Sequence, residues 1–595
     1  MNALCYKIVF SKRLGTLVAV GEHTAGQGKA AGTGVRTAVF PNSSAASADN
    51  FVGLLKAVFA SIALSFVTVG VATAAGPAAN TLPTGYSVNS GNVAISSSAT
   101  ANNATMVIKQ NTDKASINWQ SFSIGSGAAV NVQQNSANSV LLNRVVGNDP
   151  SQIFGKLTAN GQVILINPNG VVFGKGGSVT ASAFTASTFG MTDADFSAGK
   201  HKFTRNGSTA GVTVEDGATI STTAPSGYVA LMGASVDNQG AITTQGGAVV
   251  LASGETVALP AGLTDNISVP LSGKVRLELQ PSTLNAMVAN SGTITTEGGQ
   301  VLMQAAAVSD AVASIAHTGT IDTTGEQGGA VTLHADHGDI KVSGVVKANS
   351  KSTKNKGGNI IIGRDEVTGV LAKTTDVSNA KLESNKGFVE TSGDYLATDG
   401  VAIKAANWLL DPSDVTISSD SDTDYANLSG TYTPNASAGT SVVKVDTIQT
   451  AINAGTSVTI TTTNTGTSGS GAGNITIANP LAFANNSDND ATLSLIADNG
   501  IIQNTGASIT TSAVANKKGL VHVSMEAKGN YQGSTVESDN SKGITLNSTI
   551  TTNGTVTLTG TSKNTSGVQL TKTVPIKNTA GDIVGYDYNY GVTNN

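Results

Sequence analysis

The chain holds a single cysteine, Cys5, in 595 residues. One thiol cannot close a disulfide framework or supply a cysteine-rich metal site, so neither staples this protein. A large exported chain that crosses a second membrane unfolded gains from that lack, because crosslinks formed on the way would block it. Aromatics are scarce at 4%, and tryptophan occurs twice, at Trp119 and Trp408. Charged residues make up only 12%; beyond the first 75 residues the chain carries 28 basic and 37 acidic side chains, a balance of −9. That sign argues against the basic stripe of a nucleic-acid-binding surface. No segment past about Pro77 sustains a 3.6-residue apolar period.

Glycine is abundant, with 68 residues, in a background of Ser, Thr, Asn, Val and Ile. Such a mixture suits short strands in thin layers with frequent turns. A repeat is visible as GATI at Gly217, GAIT at Gly240, GTIT at Gly292, GTID at Gly319 and GVVK at Gly344, spaced 23, 52, 27 and 25 residues apart. A period of 20 to 30 residues built from strands and turns implies a solenoid, each rung burying one face against the next. The expected fold class is therefore all-β, a parallel β-helix. KVRLELQPSTLNAMVAN, Lys274 to Asn290, falls in the double-length interval and reads as an extra-helical hairpin or loop on one rung. ANSKSTKNKGGN, from Ala348, reads as a solvated basic loop, and Asp414 to Gly439 as a break or a long loop.

GQVILINPNGVVFG, Gly161 to Gly174, sets two apolar runs around a corner. Pro168 fixes φ for the second turn position and pushes Asn167 toward extended geometry, while Asn169 and Gly170 tolerate positive φ. At the other end, KAVFASIALSFVTVGVATAA, Lys56 to Ala75, has a basic start, an apolar centre and an A-x-A close, so signal cleavage is expected after Ala74 or Ala75. A membrane anchor of about spanning length is the alternative.

The search for enzyme chemistry finds no constellation. HADHGD at His334 puts two imidazoles and two carboxylates within six residues, but on a strand positions 334 and 337 face opposite ways, and no metal site is expected. GVVFGKGGS at Gly170 is one residue short of a phosphate loop and leads into no helix. No Gly-x-Ser-x-Gly elbow in a strand–turn–helix context occurs. The expectation is a protein that is not an enzyme and has no cofactor.

INWQSFSIGSGAAVNVQQNSANSVLLNRVVGNDPSQIFGKLTANGQVILINPNGVVFGKGGSV, Ile117 to Val179, resembles the N-terminal secretion domain of two-partner secretion exoproteins of the filamentous haemagglutinin class. The shared motifs include Asn118-Trp119, Leu142-Asn143-Arg144-Val145 and Asn167-Pro168-Asn169-Gly170, and the likeness runs from about Leu82 to Gly329. Residues 1–30 resemble the extended signal-peptide region of very large exported proteins. KGFVETSG, Lys386 to Gly393, and ANWLLDPSDVTI, Ala406 to Ile417, look like segments of the high-molecular-weight adhesin branch.

The resemblance implies a right-handed β-helix exported through the periplasm to an outer-membrane β-barrel translocator. Asn118, Trp119, Asn143, Arg144, Asn167, Pro168, Asn169 and Gly170 would serve translocator recognition or the fold of the secretion domain. The chain then divides into a signal region 1–75, a secretion domain with the first rungs 76–330, further rungs 331–413, and β-rich repeats 414–595, whose last segment reads as a rung and leaves room for a longer gene product. The expected function is a secreted or surface adhesin binding host receptors or glycans. A contact-dependent toxin or a haem-acquisition protein using the same export route is the alternative.

Overall fold

Alternation sets the architecture. In strands such as Ala104–Gln110 and Ala491–Ala497 every second residue is buried, which is the period of a strand packed on one face. The computed structural model describes residues 76–269, 274–308, 311–420, 440–462, 473–529 and 543–561, with the strands Tyr6–Ser11, Thr16–Gly21, Tyr425–Leu428, Thr431–Pro434 and Val568–Leu570. In the leader, Tyr6–Ser11 and Thr16–Gly21 pair antiparallel, with Phe10 opposite Leu17. Ala74 and Ala75, the expected cleavage position, lie outside the described residues.

From Ala104 the chain coils as a parallel β-helix with three walls. Each turn lays one strand on each wall, as in Lys156–Ala159, Gln162–Ile166 and Val171–Phe173, and the next turn pairs with it in parallel. On the first wall Ile220, Ile242, Ile294, Ile321, Val346 and Leu382 fall into one register row, all buried. The repeat read from sequence is this row, with one correction. Thr219 pairs with Ala241, so Ala218 and not Gly217 occupies the place of Gly240. Gly292, Gly319 and Gly344 lie so close to the preceding rung that an added Cβ would meet a glycine carbonyl at 2.1, 2.1 and 2.3 Å.

The open N-terminal end is covered by antiparallel strands, Ser87–Ser90 on Lys114–Trp119 and Val93–Ala99 on Ala104–Gln110. An antiparallel cover of this kind occupies a sheet edge that would otherwise be open to pairing.

The second wall explains the continuous apolar runs. In Gln162–Ile166 all five residues are buried, as are all six in Ala248–Ser253. Val163 and Leu165 enter the helix core; Ile164 and Ile166 point outward into a second apolar layer. That layer is built from two insertions, whose strands His201–Thr204, Thr256–Leu259 and Glu278–Gln280 form an antiparallel sheet. Phe189, Phe196, Phe203, Leu259 and Leu263 seal it. The insertion expected at 274–290 is thus larger and shifted: Ile242 pairs directly with Ile294, residues 254–269 and 274–285 lie outside the helix walls, and Ala286–Asn290 returns as a third-wall strand. Its partner insertion after Ser187 carries no turn signal that sequence reading detected.

The stretch from Asp414 also differs from expectation. Val415–Ser418 is a third-wall strand, and Ser441–Lys444 pairs beside it, out of chain order. Helix Val445–Asn453 then replaces a first-wall strand, burying Val445, Ile448, Ala451 and Ile452. The walls resume with Ser457–Thr461, Ile475–Ile477 and Leu481–Phe483.

Candidate secretion-domain site

Asn118, Trp119, Asn143, Arg144 and the Asn167 corner come together on three consecutive second-wall strands, Lys114–Trp119, Val140–Val145 and Gln162–Ile166. Asn118 pairs in register with Arg144, and Arg144 with Ile166. The corner follows directly. Asn167 is fully buried, Gly170 is buried, and Pro168 and Asn169 are exposed.

The corner is an Asx-type turn closed on itself. The Gly170 N–H donates to the Asn167 carbonyl at 3.1 Å, and the Asn169 N–H donates to Asn167 Oδ1 at 3.0 Å. Asn at the first position, Pro at the second and Gly at the fourth is the composition a type I turn favours. Of the two residues that tolerate positive φ, Asn169 and Gly170, only Gly170 adopts it, at +120°. The Asn167 amide also donates to the Asp149 carbonyl and to Ser151 Oγ, both at 3.0 Å, tying the corner to the preceding rung. The Asn169 amide reaches the Gly147 carbonyl at 2.8 Å, and Ser208 Oγ donates to the Pro168 carbonyl at 3.0 Å from the next turn. Four residues thereby clamp three rungs.

Trp119 is fully buried, edge-on to Phe122 with ring centres 5.5 Å apart, and its Nε1 donates to Asn143 Oδ1 at 3.0 Å. A buried indole N–H requires such a partner. Asn143 occupies an inward position beneath Leu165, so the amide lies in the core in order to serve Trp119. Arg144 is half-buried. Its guanidinium donates to Ser116 Oγ at 3.3 Å and to the Met191 carbonyl at 3.0 Å, and pairs with Asp193. The hydrogen bond from Arg144 holds the Asp193 carboxyl below its usual range. Of the residues singled out from sequence, Trp119, Asn143 and Asn167 are thus enclosed, while Pro168 and Asn169 present surface.

Sequence reading missed the partners contributed from a distance. Asp193 and Met191 belong to the first insertion, and Tyr228 Oη donates to Gln162 Oε1 at 3.2 Å beneath the outer layer. On the third wall, Asn238, Asn290 and His317 form a buried ladder: the Asn238 amide donates to Asn290 Oδ1 at 2.7 Å, and the Asn290 amide lies 3.0 Å from His317 Nδ1. Burial pulls the His317 imidazole below its ordinary value. His334 is buried on the outer side of its strand, whereas His337 stands exposed in a left-handed turn at φ +47°.

Residues 79–333 match the family model of the TPS secretion domain, and residues 1–48 that of the Extended Signal Peptide of Type V secretion system. A heme/hemopexin-binding protein of Haemophilus influenzae is 43% identical over 100 residues, 17% of this chain and 11% of that protein. A protein of the same name from the Rd strain is 35% identical over 233 residues, 38% and 24% of the two chains. The matches therefore span only about a tenth to a quarter of those relatives. The crystal structure of the HMW1 secretion domain from Haemophilus influenzae aligns with a TM-score of 0.45 and 21% identity, covering 78% of this chain and 99% of that one. A TPS secretion domain behind an extended signal peptide fits a two-partner secretion exoprotein, exported across the periplasm to the cell surface or the medium, and a domain of this kind implies a cognate outer-membrane translocator.

Proposed function

We propose that this exoprotein is a non-enzymatic surface adhesin, whose N-terminal domain is the export signal and whose later rungs hold the surface that engages host receptors or glycans. One observation carries the reading. The two segments that resemble the high-molecular-weight adhesin branch are one structural unit, paired in parallel from Phe388 opposite Asn407 to Ser392 opposite Asp411. Trp408 is fully buried there and its Nε1 donates to Thr391 Oγ1 at 3.1 Å. The two segments are thus joined in one packed unit in the rungs that follow the secretion domain, which supports the adhesin reading.

The names of the curated relatives support a second reading, haem or hemopexin binding. Against it, His201, His317 and His334 are buried and serve packing, leaving His337 and His522 as the imidazoles with exposed edges among the described residues. Cells co-expressing the chain and its translocator should bind epithelial cells more than cells with an export-dead variant, while the purified protein leaves the haem absorbance band unshifted. A stoichiometric shift of that band, without a gain in adherence, would replace the adhesin reading with haem binding.

A further inference from the structure

The basic loop that begins at Ala348 joins the first-wall strand Val345–Lys347 to the second-wall strand Asn359–Ile362. Neither export nor rung packing gives its lysines a role, yet the structure holds the loop from both sides. Towards the preceding turn, the Lys351 N–H donates to the Gly325 carbonyl at 2.7 Å, and Ser350 Oγ and the Asn355 amide donate to the Glu326 carbonyl at 2.9 and 2.8 Å. Towards the following turn, the Ser350 N–H donates to Asn385 Oδ1 at 2.7 Å, and the Asn385 amide returns to the Ser350 carbonyl at 3.0 Å. Lys386, in a left-handed turn at φ +57°, brings its ammonium onto the loop itself, donating to the Thr353 carbonyl at 2.8 Å.

Lys351, Lys354, Lys356 and Lys386 are all exposed on this corner, and none of them forms an ion pair among the described residues. Glu326, also exposed, is the acid that the corner segments 325–326, 348–358 and 385–387 contribute. Four ammonium groups thus stand against one carboxylate, a local balance of +3. The first wall beneath alternates in sign, with Asp322 beside Lys347 and Lys347 beside Glu383, and so compensates itself. The loop does not.

We infer that this corner is a docking surface for a sulfated polysaccharide, a ligand class that rests on reading the later rungs as the adhesive surface. A lysine ammonium is a hydrated point charge, without the fork that grips a single carboxylate or phosphate bidentately. Each exposed ammonium binds little alone. Four held together suit a chain of closely repeated anions, where binding gains from release of the polyanion's counterions. Sulfate esters meet that need because they stay ionised throughout the physiological pH range. The tied backbone leaves little loop order to be lost on binding, and Ser352, Thr353 and Asn355 set hydroxyl and amide groups between the lysines for sugar hydroxyls. A single-stranded nucleic acid fits less well, since it binds by stacking bases on aromatic rings. Tyr86, the exposed aromatic among the described residues, adjoins the N-terminal cap strand Ser87–Ser90.

The test measures binding of the exported protein, recovered from cells carrying the translocator, to immobilised heparin at about 50 and about 150 mM salt. Hyaluronan, which carries carboxylates but no sulfate, and DNA are measured beside it. Heparin should bind, less tightly at the higher salt, and the other two should bind much more weakly. Lys351→Gln, Lys354→Gln, Lys356→Gln and Lys386→Gln combined should weaken heparin binding by roughly tenfold or more and flatten its salt dependence. Lys517→Gln with Lys518→Gln, an exposed pair on a distal turn, should leave it unchanged. Circular dichroism of both variants, matching the parent, shows that the rungs still stack. The inference is overturned if the parent does not bind heparin, if hyaluronan or DNA binds as tightly, or if the fourfold variant binds as the parent does. Adherence to epithelial cells, read in parallel, separates the two readings. Adherence by the parent with any of these failures removes the polysaccharide alone, whereas lysine-dependent heparin binding without adherence supports the docking surface and removes the adhesin reading.

Discussion

Asn167 shows how much chemistry one buried amide can hold. Its donors and acceptor serve the Asp149 carbonyl, Ser151 Oγ and the Asn169 N–H. Asn167→Ile would strand these groups, and each unsatisfied buried partner costs about 1–3 kcal/mol. Gly170 poses the complementary case: an added Cβ has room, with no atom nearer than 3.6 Å, so Gly170→Val acts through its φ of +120° alone. The corner was legible in sequence because Asn, Pro and Gly act locally. Arg144 was legible as a residue but not as a contact, because Asp193 lies 49 positions away on an insertion without a recognised signal. Trp119→Phe should lower the urea midpoint by the equivalent of about 1–3 kcal/mol, since Asn143 Oδ1 loses its donor in the core. Adding Asn143→Leu should recover part of that loss, because the position stacks on Leu165. A double variant weaker than the sum of the single changes would show that the pair is not the unit described.

At the scale of elements, the glycine row on the first wall leaves no room for a side chain between rungs. Gly319→Ala places a methyl group 2.1 Å from the Gly292 carbonyl, an overpacking that should cost about 1–3 kcal/mol or more, whereas Gly262→Ala meets nothing within 4 Å and should be nearly neutral. Equal unfolding midpoints for the two would contradict the register. The outer sheet carries a pH dependence through His201, whose imidazole burial pulls down to about 4. Its folded pKa lies below the unfolded value of about 6.5, so the unfolded state binds the extra proton between these limits. Stability of the layer should be full above about pH 6.5, fall by about 1.4 kcal/mol per pH unit below it, and level off near pH 4. Hydrogen-exchange protection factors at His201–Thr204 and Thr256–Leu259, taken against the intrinsic rate at each pH, should therefore fall on acidification, and His201→Leu should flatten the response. An unchanged slope in that variant would assign the effect elsewhere. The repeat made the inner rows readable, but the outer layer was not, because Ile164 and Ile166 declare burial on a second face without naming what covers it.

Across the molecule, residues 79–333 combine the capped end of the β-helix, the clamped corner and the outer layer in the segment that matches the TPS secretion domain. A β-helix adds rungs through contacts between neighbouring turns, so folding can advance with little long-range loop closure as the chain emerges. Early rungs then have to form correctly, and the corner at Asn167 is among the first to join three of them. The out-of-order strand Ser441–Lys444 shows where sequence periodicity stops being a guide, since pairing there follows space and not chain order. If this corner governs export, the exported fraction of the chain in cells carrying the translocator should depend on it. Asn167→Ile and Gly170→Val should accumulate or be degraded in the periplasm, while Asn547→Ile, in a distal rung, reaches the medium or the cell surface as the parent does. Equal export of all three variants would show that the corner has no special role in export.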